Sequence, residues 1–188
     1  MELKNKTILF LGSSVTHGSA AGGVSFADII RDSYGARCIK EAVPGTTLAD
    51  INEQSYVSRL KKFDRSEKLD LFVCQLSTND ASQGVDISKI EDAIRFILSY
   101  VKQTFDCPMV FYTGTYFESK KYEQMIELLY RLKSEYSFEI LDMFNDPEMR
   151  NISDEDYRRY MSDPIHPNLI GYTEWWSPKF IEFLDNVL

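Results

Sequence analysis

The sequence predicts an α/β fold, three layers deep, with helices on both faces of a five-stranded parallel sheet. Two observations carry that prediction: short apolar runs alternate with longer stretches of helical period, and five such runs are separated by four segments long enough to cross over. The candidate strands are Thr7 to Leu11, Arg37 to Glu41, Leu69 to Leu76, Met109 to Thr113 and Phe138 to Leu141. Five strands joined in this way fit a doubly wound, flavodoxin-like sheet of order 2-1-3-4-5, whose ligands sit at the carboxyl ends of the strands near the point where the order reverses.

The first helix is placed near Ser25, which can cap it, with Phe26, Ile29 and Ile30 as its apolar face. A second is placed from about Thr47 or Ala49, after the break at Val43-Pro44-Gly45. Ile87, Ile90, Ile94, Ile97, Leu98 and Val101 form one stripe at helical spacing, and Tyr122, Met125, Ile126, Leu129, Leu132 and Tyr136 form another. Both stripes read as core-facing helices. From Asp142 to Asp163 no long apolar period is found, so this stretch reads as an extended connection with one short helix. The last helix runs from Asn168 or Leu169 to Val187, with a kink or restart at Pro178.

At 188 residues the chain is read as a single domain, 1–188, long enough to build its core without disulfides or a structural metal. With 44% hydrophobic and 13% aromatic residues it is not a disordered chain. Its formal charge of −8 argues against nucleic acid and anionic lipid surfaces as partners. The apolar run Ile8 to Leu11 is too short for a signal-peptide core, and no stretch approaches membrane-spanning length. Cys38, Cys74 and Cys107 form no pattern and read as reduced core residues of a cytoplasmic protein.

The chemistry-bearing residues follow the strands. Gly12-Ser13-Ser14-Val15-Thr16-His17-Gly18 comes after the first, Val43-Pro44-Gly45-Thr46-Thr47 after the second, and Ser77-Thr78-Asn79-Asp80 after the third. Late in the chain stands Asp163-Pro164-Ile165-His166-Pro167-Asn168. There are two histidines, and only His166 has a carboxylate close by, Asp163, in a stretch stiffened by two prolines. An imidazole paired with a carboxylate can take a hydroxyl proton near neutral pH. His17 has no acid nearby and reads as a polar residue at the pocket rim. The hydroxyl nucleophile is then sought in the first turn, and the oxyanion donors in that turn's N–H, the Gly45 N–H and the Asn79 amide. At Gly45 the missing side chain permits close backbone approach.

These residues, in this order, resemble the SGNH hydrolases, the branch of the GDSL esterases and lipases named for Ser, Gly, Asn and His in four separated blocks. The first block appears as Gly12-Ser13-Ser14-Val15, the second as Gly45, the third as Ser77-Thr78-Asn79-Asp80 and the last as Asp163-Pro164-Ile165-His166, followed by Pro167-Asn168 and Gly171-Tyr172. The resemblance implies a catalytic triad of Ser14, His166 and Asp163. It also implies an oxyanion hole of Ser14, Gly45 and Asn79. Two positions depart from the pattern: Ser13 stands for an aspartate and Ser77 for a glycine, and a bulkier Ser77 is expected to narrow or repolarise the pocket.

The function expected is a serine carboxylic ester hydrolase acting through an acyl-enzyme on a small-molecule ester, with no metal or organic cofactor. Small family members of this kind point to acetyl esters, including those of carbohydrates. Tyr116, Phe117, Met161, Trp175 and Trp176 are candidates for the substrate pocket. Two alternatives compete: an acyltransferase of the same mechanism, and a flavodoxin-like protein whose first turn cradles a phosphate or FMN.

Overall fold

The computed structural model describes residues 2–188; Met1 lies outside them. Five parallel strands form one sheet: β1 (Thr7–Gly12), β2 (Arg37–Ala42), β3 (Leu71–Gln75), β4 (Met109–Tyr112) and β5 (Glu139–Leu141). Their order is β2-β1-β3-β4-β5, as predicted. The register sets Leu11 of β1 between Glu41 of β2 and Cys74 of β3, so the carboxyl ends of these strands finish side by side.

Alternation along β1 divides the core. Leu9 and Leu11 face one layer, with Phe72, Cys74 and Phe111. Ile8 and Phe10 face the other, with Leu71, Val73, Val110 and Tyr112. A strand buried on both faces must be apolar throughout, which is why these runs are continuous. The first layer is covered by α3 (Tyr56–Lys62), α5 (Ile87–Thr104) and α6 (Lys120–Lys133). The second is covered by α2 (Phe26–Tyr34) and α10 (Ser177–Val187), where the Phe26 and Phe180 rings stack with centroids 3.7 Å apart. Because α2 leaves β1 toward one face and α5 follows β3 on the other, a crevice opens between the ends of β1 and β3.

Local rules account for most helix ends. The Ser25 N–H donates to Asp28 Oδ2 at 2.9 Å, closing a capping box at the start of α2. Ser119 Oγ accepts the Tyr122 N–H at 3.2 Å to start α6. The stripe from Ile90 to Val101 is buried on α5, while Ile87 at its first turn is exposed.

Three elements differ from expectation. The second helix, α3, begins at Tyr56 rather than near Thr47, capped by Ser55 Oγ on the Ser58 N–H at 3.1 Å. The intended first turn is held elsewhere: the Leu48 and Ala49 N–H groups donate to the buried Asp80 carboxylate at 2.7 and 3.0 Å. The stretch after β5 contains two short helices rather than one, α7 (Pro147–Arg150) and α8 (Asp154–Tyr160), each started by a side-chain cap at Asp146 or Ser153. Short helices also open two of the functional turns, α1 (Ser14–His17) and α4 (Thr78–Ser82).

The expected restart at Pro178 is present. A short α9 (Leu169–Gly171) leads into a π-helical turn, Tyr172–Trp176, before α10 begins. Proline has no N–H to give to the carbonyl four residues back, and widening the preceding turn lets Ser177 bond Tyr172 O instead.

Candidate active site

Ser14 is the first residue of α1, directly beyond the end of β1. First-turn N–H groups of a helix have no partner within it, so the Ser14 N–H is left free at the sheet edge. Its turn is clamped from below by Gln75 at the end of β3: Gln75 Oε1 accepts from the Ser13 N–H at 2.9 Å and from Thr16 Oγ1 at 2.8 Å. Thr16 Oγ1 also meets the Tyr112 hydroxyl of β4 at 2.6 Å. Three strand ends therefore fix the turn. A lone glutamine in an otherwise apolar strand was the one sequence signal for this clamp.

His166 comes to Ser14 from 152 residues away, with Nε2 at 2.7 Å from Ser14 Oγ. On the other side of the ring, Nδ1 lies 2.8 Å from Asp163 Oδ2. A carboxylate there holds the ring proton on Nδ1 and leaves Nε2 to accept from the hydroxyl. Burial pushes the Asp163 carboxyl up, but the Ile165 N–H, the His166 ring and the His166 N–H together outweigh it and hold the group below its ordinary range. It is a carboxylate throughout the neutral range.

The loop that carries Asp163 and His166 is closed on itself. Met161 and Pro167 form an antiparallel bridge, and the Ser162 N–H donates to His166 O at 2.8 Å. Gly171 lets α9 pack on the end of α8, since a Cβ there would stand 2.1 Å from Tyr160 O. The buried Tyr172 hydroxyl donates to Val15 O at 2.7 Å, tying the last helical segment to the residue beside Ser14. The structure thus gives a physical reason for Gly171-Tyr172 in the sequence.

Asn79 Nδ2 donates one hydrogen to Thr46 O at 2.8 Å, which leaves its second amide hydrogen free. Asp80 beside it takes the Leu48 and Ala49 N–H groups, so residues 79 and 80 hold the loop after β2 from both sides. Burial raises the Asp80 carboxyl, with the Ser77 hydroxyl and the Ala49 and Leu48 N–H groups opposing. Gly45 is required for a different reason than close approach. Its φ is +78°, and no heavy atom lies within 4 Å of where its Cβ would stand. The backbone conformation selects glycine, and the space beside it stays open.

Ser14, Asn79 and His166 line one hollow of about 290 Å³ together with Thr78, Ser82, Phe117, Glu118, Ser119 and Ile165. Asp163 sits behind His166, and Gly45 is joined to the hollow through Thr46 rather than lining it. Two larger hollows, of about 540 and 670 Å³, contain none of the predicted site residues. One is at the amino ends of β4 and β5, the other between α2 and α10. His17 is also outside the site, its Nδ1 3.3 Å from Ser19 Oγ.

The expectation for Ser77 is corrected. Its side chain is fully buried and caps α4, accepting the Asp80 N–H at 3.4 Å, so it neither narrows nor repolarises the hollow. Ser13, the other departure, is buried too, and the hydroxyl of fully buried Tyr56 faces both serines without closing a hydrogen bond. Of the five aromatic and methionine candidates, Phe117 lines the hollow, while Tyr116, Phe117 and Trp175 line a neighbouring cavity of about 350 Å³. Met161 and Trp176 are core residues at 7% and 0% exposure.

Among the described residues no group of three or more His, Cys, Asp or Glu side chains is placed to hold a metal ion, and no helix is long and apolar enough to cross a membrane. Cys38, Cys74 and Cys107 are free thiols, Cys38 only partly buried.

A family model described as the GDSL-like lipase/acylhydrolase family matches residues 10–173. The chain belongs to this family. The match agrees with the hydrolase expectation rather than with the flavodoxin-like alternative. The GDSL-like hydrolase also resembles solved structures closely in fold. A Lactobacillus plantarum protein is 16% identical with a TM-score of 0.83, over 98% of this chain and 99% of that one. AlinE4, an SGNH-hydrolase family esterase, is 20% identical with a TM-score of 0.66, over 98% of each chain. A family two carbohydrate esterase from Clostridium thermocellum, solved with cellohexaose, is 15% identical with a TM-score of 0.72, over 96% of this chain and 64% of that one. A comparison of the GDSL-like hydrolase with curated protein sequences gives no match.

Proposed function

We propose that this GDSL-like hydrolase is a serine esterase that cleaves short, acetyl-sized esters through an acyl-enzyme. One observation carries the reading: an unbroken line of hydrogen bonds from Asp163 through His166 to Ser14 Oγ, ending at a pocket. Ser14 Oγ attacks the ester carbonyl as its proton passes to His166 Nε2, and Asp163 stabilises the imidazolium. The Ser14 N–H, the Gly45 N–H and the free Asn79 amide hydrogen hold the developing oxyanion. His166 then protonates the leaving alcohol and next activates the water that releases the acyl group. Transfer would share this acyl-enzyme, and an acylated product formed with an added competing alcohol would identify it.

Asn79→Ala removes one oxyanion donor and is expected to lower kcat by about 10² to 10³-fold with little change in KM, measured on p-nitrophenyl acetate. An effect confined to KM would contradict the oxyanion role.

The small hollow at Ser14 suits a short acyl group. The neighbouring cavity shares Phe117 with it and offers Tyr116, Tyr157 and Trp175 with Arg150 and Asp154. Aromatic side chains with an arginine, stacked on Tyr116 at 4.1 Å from the ring centre, and an aspartate fit a hydroxyl-rich alcohol such as a sugar, and the fold likeness to a carbohydrate esterase agrees with this. Tyr116 is 37% exposed, so its removal is tolerable for the fold. Tyr116→Ala is expected to raise KM for an acetylated sugar about tenfold and to leave p-nitrophenyl acetate within about twofold. Equal effects on both esters would place the alcohol elsewhere. Small-molecule turnover, with no nucleic acid or membrane partner, and a cytoplasmic location complete the proposal.

A further inference from the structure

We infer that Arg59 is a positioning residue for the oxyanion site, locking its three donors into one frame. This rests on the reading that Ser14, Gly45 and Asn79 hold the oxyanion. Arg59 lies on α3, one turn beyond Tyr56, and is 6% exposed. Its guanidinium donates in every direction: Nε to Gln54 O at 2.9 Å, Nη1 to Glu41 O at 2.7 Å and Glu41 Oε1 at 3.3 Å, and Nη2 to Gly12 O at 2.7 Å and Thr46 Oγ1 at 3.3 Å.

Those acceptors adjoin the donors of the site. Gly12 ends β1 two residues before Ser14. Thr46 follows Gly45, and its carbonyl takes the Asn79 amide at 2.8 Å. One planar fork therefore spans the first turn and the loop after β2, just beyond the last β1–β2 pair, Gly12 with Ala42, where the Val43 N–H to Gly12 O bond at 3.3 Å is the other link. A rigid fork fixes their spacing in a way that a flexible lysine does not. Preorganised donors stabilise an oxyanion only where they are aimed at its position, so the spacing bears on the transition state more than on the bound ester. Among the described residues, Glu41, whose side chain is 35% exposed, is the one carboxylate within ion-pair distance of Arg59.

The test is Arg59→Lys, which keeps the charge and loses the fork, with circular dichroism and Tm confirming a folded protein. On p-nitrophenyl acetate, kcat is expected to fall about 10- to 100-fold while KM stays within about twofold. Combined with Asn79→Ala, the loss is expected to be well below the product of the two single losses, because both act through Thr46. A folded Arg59→Lys protein with kcat within about twofold of the parent overturns the inference, and so does a fully multiplicative double variant. Should Arg59→Lys not fold, Thr46→Val removes the hydroxyl that meets the fork, together with that hydroxyl's 2.7 Å bond to Val43 O, and leaves the carbonyl that Asn79 uses; Thr46→Ser, which keeps both bonds, is expected to retain the parent's kcat. A kcat loss of about threefold or more at constant KM in Thr46→Val then supports the inference, and an unchanged kcat in that variant overturns it. Activity surviving in Ser14→Ala would instead refute the assignment of the site itself, so the two failures are distinguishable.

Discussion

Ser14→Ala is expected to reduce ester hydrolysis by about 10⁴ to 10⁶-fold in kcat, the range seen when a triad serine is lost. That corresponds to about 5–8 kcal/mol of transition-state stabilisation. The loss is so large because no other hydroxyl can replace it. Ser13 is fully buried with its Oγ directed at Gln75, and Thr16 Oγ1 is engaged by Gln75 and Tyr112. Ser14 alone in the turn faces His166 Nε2. The fold should be indifferent to the change, since the turn is held by Ser13, Thr16 and Gln75 rather than by Ser14 Oγ. A p-nitrophenyl acetate assay beside a thermal melt checks both statements. A variant with the parent's Tm and the parent's turnover would mean that another group performs the attack.

The second large effect separates the two histidines. His166→Ala is expected to lower kcat by about 10⁴-fold or more, because the general base and the acid that protonates the leaving alcohol disappear together. His17→Ala is expected to stay within about threefold of the parent, since its ring hydrogen-bonds Ser19 Oγ and lines no part of the hollow at Ser14. The backbone of His17 matters more than its ring. Its carbonyl accepts Lys40 Nζ at 3.1 Å, a bond that alanine keeps. Steady-state kinetics on the two variants decide the matter, and a reversed ranking would assign the base to the wrong end of the chain.

The three inner strands, β1, β3 and β4, were legible because burial on both faces demands continuous apolar runs. Only the edges moved, as with the third run, predicted at Leu69 to Leu76 and paired over Leu71–Gln75. The restart at Pro178 was legible because it follows from one missing N–H. The start of α3 was not. Thr47 to Ala49 satisfies local rules for a helix start, yet Asp80, more than thirty residues on, takes the very N–H groups that a first turn would leave free. Ser77 was misjudged for a related reason: its block in the sequence borders the pocket, but its side chain turns inward to cap α4. The roles of Gln75 and Tyr172 were equally hidden, since each acts on a residue from a different strand or helix.

What the sequence determined by itself was the class of sheet, its strand order and the set of residues able to carry the chemistry, because periodicity and residue type are local properties. Only the tertiary structure decided that Ser14 Oγ and His166 Nε2 stand 2.7 Å apart, and that Tyr116 and Trp175 border a cavity while Trp176 does not. A hydrogen bond between groups 152 residues apart is set by how layers pack, and packing is a property of the whole chain.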